Sequence, residues 1–349
     1  MTRNAWRRLV VWGLGLAGAA ACAGEDALAL RAEHFTVPPA TGPSIHVVVQ
    51  NLRDAVWRGR VALRLPDGWR WDPAERAVAL APRATQRVAF TIVKGMNLDA
   101  NRYAVEVAAT GDDGARVVRK QEIVCASAPF FEPRIDGRTG DWDDAVPVTF
   151  LHAGKKTVVR TYWNRTHFCL LVEVEEERHV GYRKGAEFDA VQVAIAPREA
   201  PAASQPEGKA ARDEFLLVGS RSMWSRDRCF LLATPGTALS ATQEARELAS
   251  LEFKAARLVV RRRGGATCYE AAIPLAAMPG IQPTEGREFC FSVLVHDPDG
   301  TGLRDWGEAA GLWPRQRNRL AWSQWLGARW GRDAPFDNRI EWGFCSSKH

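Results

Sequence analysis

The chain has 349 residues, 46% hydrophobic and 25% charged, which is too apolar for a disordered chain and long enough for two packed cores. Beyond the first two dozen positions no apolar run approaches the ~20 residues needed to cross a bilayer. The formal charge of +6 falls to +3 once residues 1–23, with Arg3, Arg7, Arg8 and no acid, are set aside (44 basic against 41 acidic), so the charge asks for no nucleic-acid partner.

Those first residues read as a signal peptide, 1–23. Arg3, Arg7 and Arg8 make a positive n-region, and Leu9 to Ala21 make an apolar stretch too short to span a membrane before Glu25-Asp26. Two cleavage schemes stay open. Ala21-Cys22-Ala23 fits cutting before Gly24, whereas Ala19-Ala20-Ala21-Cys22 resembles a lipobox that would leave Cys22 lipidated. Both imply export, to the periplasm, the outer membrane as a lipoprotein, or the exterior, with lipid at Cys22 as the sole expected membrane link. The cysteines beyond it are Cys125, Cys169, Cys229, Cys268, Cys290 and Cys345. They show no CxxC or Cys/His cluster, and four of them interrupt apolar runs, so buried thiols are expected and a structural zinc is not.

From residue 25 to 126 the pattern is β throughout. Short runs at Ile45–Val49, Val61–Leu65, Val88–Ile92, Tyr103–Val107 and Val117-Val118 alternate or nearly alternate. Turn chemistry separates them at Pro66-Asp67-Gly68, Ala81-Pro82-Arg83 and Gly111-Asp112-Asp113-Gly114. These features predict a small immunoglobulin-like sandwich, with Trp69 and Trp71 on one strand face as core residues. A linker is expected over 127–132.

A second, larger sandwich is expected over 133–349. Its strand-like runs are Thr157–Tyr162, Phe168–Glu173, Ala190–Ile195, Glu214–Val218, Cys229–Leu232, Leu258–Arg261, Cys268–Ile273 and Phe289–Val295. Pro197 to Arg212 reads as a surface loop, Gly236 to Ser250 as a partial helix, and Glu175-Glu176-Glu177 as a charged strand edge. The predicted fold class is therefore all-β: a small sandwich that resembles the immunoglobulin-like ones, followed by a larger one of jelly-roll or, as the resemblance of its motifs implies, DOMON-like type.

Residues 50–93 resemble the immunoglobulin-like accessory domains that accompany bacterial carbohydrate-active modules. In the second half, Ile135-Asp136-Gly137…Gly140-Asp141-Trp142 opens a series of motifs. Thr161-Tyr162-Trp163-Asn164 with Phe168–Val172, then Phe188-Asp189-Ala190-Val191-Gln192, Tyr269-Glu270-Ala271-Ala272-Ile273-Pro274 and Phe291–Gly300 follow in order. Trp322-Ser323 and Trp330…Pro335-Phe336 close it. Together these resemble the family 9 carbohydrate-binding modules. The resemblance implies non-catalytic binding of a poly- or oligosaccharide held between two tryptophans. Trp330 takes the position of the second tryptophan, the first falls on Ala186 with Tyr182 nearby, the family's acid falls on Gln192, and its strand arginine falls on Leu216.

The residues themselves point the same way. Six of the 14 tryptophans fall in the last 44 residues, and indole faces stack on the C–H faces of pyranose rings. Trp322 and Trp325 join Trp330 as candidate stacking rings, and Asn318, in Arg315–Arg319, joins Gln192 as a polar candidate. Asp297-Pro298-Asp299-Gly300 sets carboxylates at i and i+2 before a sharp turn. That arrangement suits either a hairpin or a structural calcium, which the resemblance also implies, with Asp297 and Asp299 as ligands. No GxSxG, HExxH or P-loop is present. Carbohydrate binding is the expected function. A glycan hydrolase with an unrecognised carboxylate pair and an adhesive surface protein are the alternatives.

Overall fold

The structure is a computed structural model, and it describes residues 28–184, 186–198, 212–222, 225–237, 248–306 and 340–346. The described part is all-β. In the first half, one sheet runs β1 (Leu28–Ala32), β2 (Ser44–Asn51), β6 (Thr85–Lys94), β4 (Arg70–Asp72). It faces a second sheet of β5 (Glu75–Leu80), β3 (Trp57–Arg64), β7 (Tyr103–Gly111) and β8 (Arg116–Ile123). Alternation decides the packing. Ile45, Val47 and Val49 of β2 and Val61 and Leu63 of β3 point inward with Trp69, Phe90 and Tyr103, while their neighbours stay half-exposed or exposed. Trp69 is buried in this core, and Trp71 packs against it.

The second half builds a larger sandwich. Its five-stranded sheet runs β10 (Val148–His152), β11 (Lys155–Trp163), β12 (His167–Glu175), β17 (Ala266–Pro274), β16 (Arg257–Arg263). The facing sheet runs β15 (Arg228–Ala233), β14 (Asp213–Val218), β13 (Ala190–Pro197), β18 (Glu288–Asp297), β20 (Glu341–Cys345), β9 (Ser127–Pro129), and β19 (Gly302–Asp305) also pairs with β18. Phe168, Leu170 and Val172 of one sheet meet Val191, Val193, Ile195, Phe291 and Val293 of the other across a dry core. Two motifs of the sequence reading earn their place here. The Glu270 carboxylate, on β17, accepts hydrogen bonds from Gly137 N–H at 2.5 Å and from Trp142 Nε1–H at 3.1 Å. The opening Asp-Gly…Trp segment is thus pinned to a central strand.

Two expectations change, and a third falls mostly outside the described residues. Residues 127–129 of the expected linker form β9, which pairs in parallel with β20, and Ala126 and Ala128 lie in the second core. The chain end thereby closes on the segment joining the two halves. Within Gly236 to Ser250, the described residues show only the start of a 3-10 turn at Leu248–Leu251; residues 238–247 lie outside the description. Glu176, expected on a solvated edge, is buried, because the chain turns inward after β12 and its N–H bonds the Gly265 carbonyl at 3.0 Å.

The two sandwiches meet through buried charge. Arg31 of β1 binds Glu341 of β20 at 2.5 Å, and Arg87 of β6 reaches Glu33 at 2.7 Å and Glu288 at 2.9 Å. Arg198, just past β13, binds Glu33 and lies 3.3 Å from Glu341. Burial pushes the Glu341 carboxyl upward, but Arg31 and Arg198 outweigh it and hold it at about 2. All six described cysteines are buried.

Candidate functional site

β13 and its neighbours are buried on both faces. Val191, Val193 and Ile195 look into the core, which leaves Ala190, Gln192 and Ala194 on the outer face of the sheet. There a diagonal of polar side chains crosses three strands. The Gln192 Nε2–H group donates to Glu214 Oε2 at 3.1 Å, Gln192 Oε1 lies 3.1 Å from His296 Nε2, and Arg212 donates to Glu214 Oε1. Burial pushes His296 down to about 3, so the ring is neutral and its Nε2–H is the donor to Gln192. Arg212 lies at the far end of the Pro197–Arg212 segment, and Arg198, near its start, holds the contact between the sandwiches; residues 199–211 lie outside the description.

A second constellation sits at the end of the same strands. Asp189, just before β13, is within ligand distance of two groups: Glu176 with His179, and Asp297 with Asp299. In each group the donor atoms lie within 4.8 Å of one another. His179 Nδ1 is 3.6 Å from Glu176 Oε1 and 3.6 Å from Asp189 Oδ2. Both Glu176 oxygens, both His179 nitrogens and Asp189 Oδ1 are buried without a hydrogen bond, a costly arrangement for bare carboxylates. Burial first, then the nearby Glu176, raises the Asp189 carboxyl to about 7. Carboxylates gathered with orphaned oxygens fit a hard divalent cation, and an imidazole nitrogen is compatible with it at the margin. The loop after β18 is less open. Asp297 Oδ2 already accepts from Thr301 N–H at 2.9 Å and from the fully buried Arg304 at 2.6 Å, and Asp299 pairs with Arg178.

The expected site residues divide three ways. Asp297 and Asp299 meet in one cluster, as the spacing suggested, but the hub is Asp189, and Glu176 and His179 were not anticipated. Asp189 belongs to the Phe188–Gln192 motif, where a single acid ahead of an apolar run carries no local mark of a metal ligand. Gln192 lies inside the sheet's polar diagonal with both amide ends occupied, so it is not the free ligand-facing group that the reading expected. Tyr182 is half-buried against Phe188 and Phe230, at centroid distances of 5.1 and 5.7 Å, with the Arg228 guanidinium 5.2 Å above its ring. It packs the loop before β13 and does not stand free as a stacking platform. Trp322, Trp325, Trp330 and Asn318 lie outside the described residues, as does Cys22.

Comparison with known proteins adds three findings. Residues 45–111, within the first sandwich, match the family model described as the NPCBM-associated, NEW3 domain of alpha-galactosidase. No curated protein matches the chain. Among solved structures, a carbohydrate-binding module family 9 from Caldicellulosiruptor kristjanssonii in complex with cellotriose is similar at 12% identity and a TM-score of 0.39, covering 64% of this chain and 94% of that one. The same module with glucose gives 13% identity and a TM-score of 0.36, covering 50% and 78%. The partial N-terminal region of an enterococcal surface protein gives 11% identity and a TM-score of 0.19, covering 79% and 90%. Scores this low establish no family for the second sandwich.

Proposed function

We propose that this is an exported, non-catalytic carbohydrate-binding protein whose second sandwich holds a poly- or oligosaccharide and whose first sandwich is an accessory domain. The observation that carries the reading is the concentration of tryptophan, six of 14 in the last 44 residues, beside Asn318 in the Arg315–Arg319 run. Indole faces stack on the apolar C–H faces of sugar rings, and amide and guanidinium groups beside them suit the hydroxyls. The ordered motifs of the sequence and the accessory-domain match over residues 45–111 support the same reading. Trp330, with Trp322 and Trp325, supplies the stacking rings, and Asn318 adds a polar contact.

A divalent cation, calcium by the chemistry of its oxygen donors, would be held by Asp189 either with Glu176 and His179 or with Asp297 and Asp299. There it would neutralise carboxylates that otherwise repel one another and brace the loops before β13 and after β18. Two measurements check the reading. On a glycan array and by calorimetry, saturable binding is expected, weakened about tenfold or more by Trp330→Ala; the absence of binding to any glycan overturns it. Calcium at one hundred times its dissociation constant is expected to stabilise the fold by about 2.7 kcal/mol, reversed by a chelator and lost in Asp189→Asn. An unchanged melting temperature would remove the cation.

A further inference from the structure

The second sandwich is open along one flank. There β15, the edge strand of one sheet, faces β16, the edge strand of the other, and the two edges enclose a cleft of about 800 Å3. That volume is within the ~300–1,000 Å3 usual for small-ligand sites. The walls are held in place by backbone bonds. Asp227 Oδ1 accepts from Ser220 N–H at 2.7 Å and Oδ2 from Val260 N–H at 2.8 Å, so one carboxylate ties the turn before β15 to β16. Phe253 N–H donates to the Cys229 carbonyl at 2.7 Å and fixes a half-buried ring in the lining.

Charge is concentrated here out of proportion. Five arginines and Lys254 line the cleft against two acids, Asp227 and Glu252, a formal excess of +4 in a chain whose whole net charge is +6. Some of these cations are committed. Arg226 binds Glu252 at 2.6 Å, Arg261 lies 3.5 Å from Asp227, and Arg262 donates to the carbonyls of Glu176 and Glu177. Arg221, Arg228 and Lys254 have no ion-pair partner among the described residues. Arg228 rests on the Tyr182 ring, which orients the guanidinium without cancelling its charge.

We infer that this flank binds an anionic saccharide, one that carries carboxylate or sulfate groups. Arg221, Arg228 and Lys254 meet the anionic groups, Ser220 and Ser222 offer hydroxyls to the sugar hydroxyls, and the Phe253 ring offers an apolar face. The inference rests on the carbohydrate-binding reading, but it uses different residues from Trp330, Trp322 and Trp325.

The test uses the intact protein with three probes by calorimetry: trigalacturonate for carboxylates, a dextran sulfate oligomer for sulfates, and maltotriose as a neutral control. Anionic lipid vesicles form a fourth arm. The expected result is binding of at least one anionic sugar that weakens on the order of tenfold in Arg221→Gln and in Lys254→Gln, both exposed side chains whose loss leaves the melting temperature unchanged. Raising ionic strength should weaken it too. Anionic-sugar binding that survives Trp330→Ala but not Arg221→Gln places the ligand in the cleft and supports the inference even if the stacking site fails. Binding of maltotriose alone overturns the inference and leaves the general carbohydrate-binding reading standing. Binding to vesicles without either anionic sugar overturns the inference, as does anionic-sugar binding indifferent to both variants. No binding to any sugar overturns both readings.

Discussion

His34 shows how one buried side chain sets an acid limit. It sits between the two sandwiches, stacks on Trp306 at 5.6 Å, and its Nδ1 accepts from Val124 N–H at 3.1 Å, a bond that only the neutral ring can make. Burial pushes its pKa down to about 4, with Glu341 opposing and Arg31 reinforcing the shift. Because the folded value lies below the unfolded one, near 6.5, the unfolded chain binds the proton first. Stability from this group is therefore full above pH 6.5 and lost as pH falls toward 4. His34→Gln keeps an acceptor for Val124 and cannot titrate. Urea unfolding at pH 7 and pH 4.5 should show the variant losing roughly 2 kcal/mol less than wild type on acidification. Equal losses would show that the ring is not the titrating group. Glu270 makes a related point about reading residues, since its motif marks a buried anchor for Gly137 and Trp142 and not a ligand contact.

Among the elements, β20 does most to join the fold. It pairs with β18 in the second sheet, and its Gly343 lies directly against the Thr36 backbone of the first sandwich, where a Cβ would collide with the Thr36 carbonyl. Gly343→Ala should therefore cost roughly 2–3 kcal/mol in urea unfolding, whereas Gly140→Ala, with open space around it, should stay within about 0.5 kcal/mol of wild type. A neutral Gly343→Ala would mean that the two backbones part without penalty. The strands with clean alternation, such as β2, β3 and β7, contain the runs read from the sequence. Short β9, β10 and β19 do not announce themselves, because three to five residues carry too little period to separate a strand from a loop.

For the molecule as a whole, two separate cores are coupled through Arg31, Arg87 and Arg198 with Glu33, Glu288 and Glu341. Breaking such a network by removing one partner strands charge that is already out of water. Glu341→Gln, which leaves Arg31 with half its acceptors, should cost about 3–5 kcal/mol. Calorimetry should then resolve two melting transitions where the wild type shows one. A single transition at unchanged temperature would show that the sandwiches are coupled by apolar contact alone.

Fold class was legible from the chain because period-two alternation and turn residues are local: strands of eight or nine residues such as β2 and β7 declare their buried face without knowing their partners. The site was legible only in fragments. Asp297 and Asp299 advertise themselves two residues apart, but Glu176, His179 and Asp189 become neighbours only when β12, β13 and β18 take their places, and nothing in a local pattern distinguishes Glu176 from the solvated Glu175 and Glu177 beside it. The cationic flank has the same origin, since its arginines come from segments some 30 residues apart that meet because β15 and β16 are both left as edges. Patterning of burial is a property of sequence, whereas convergence of charge follows from strand order and register, which long-range pairing alone decides.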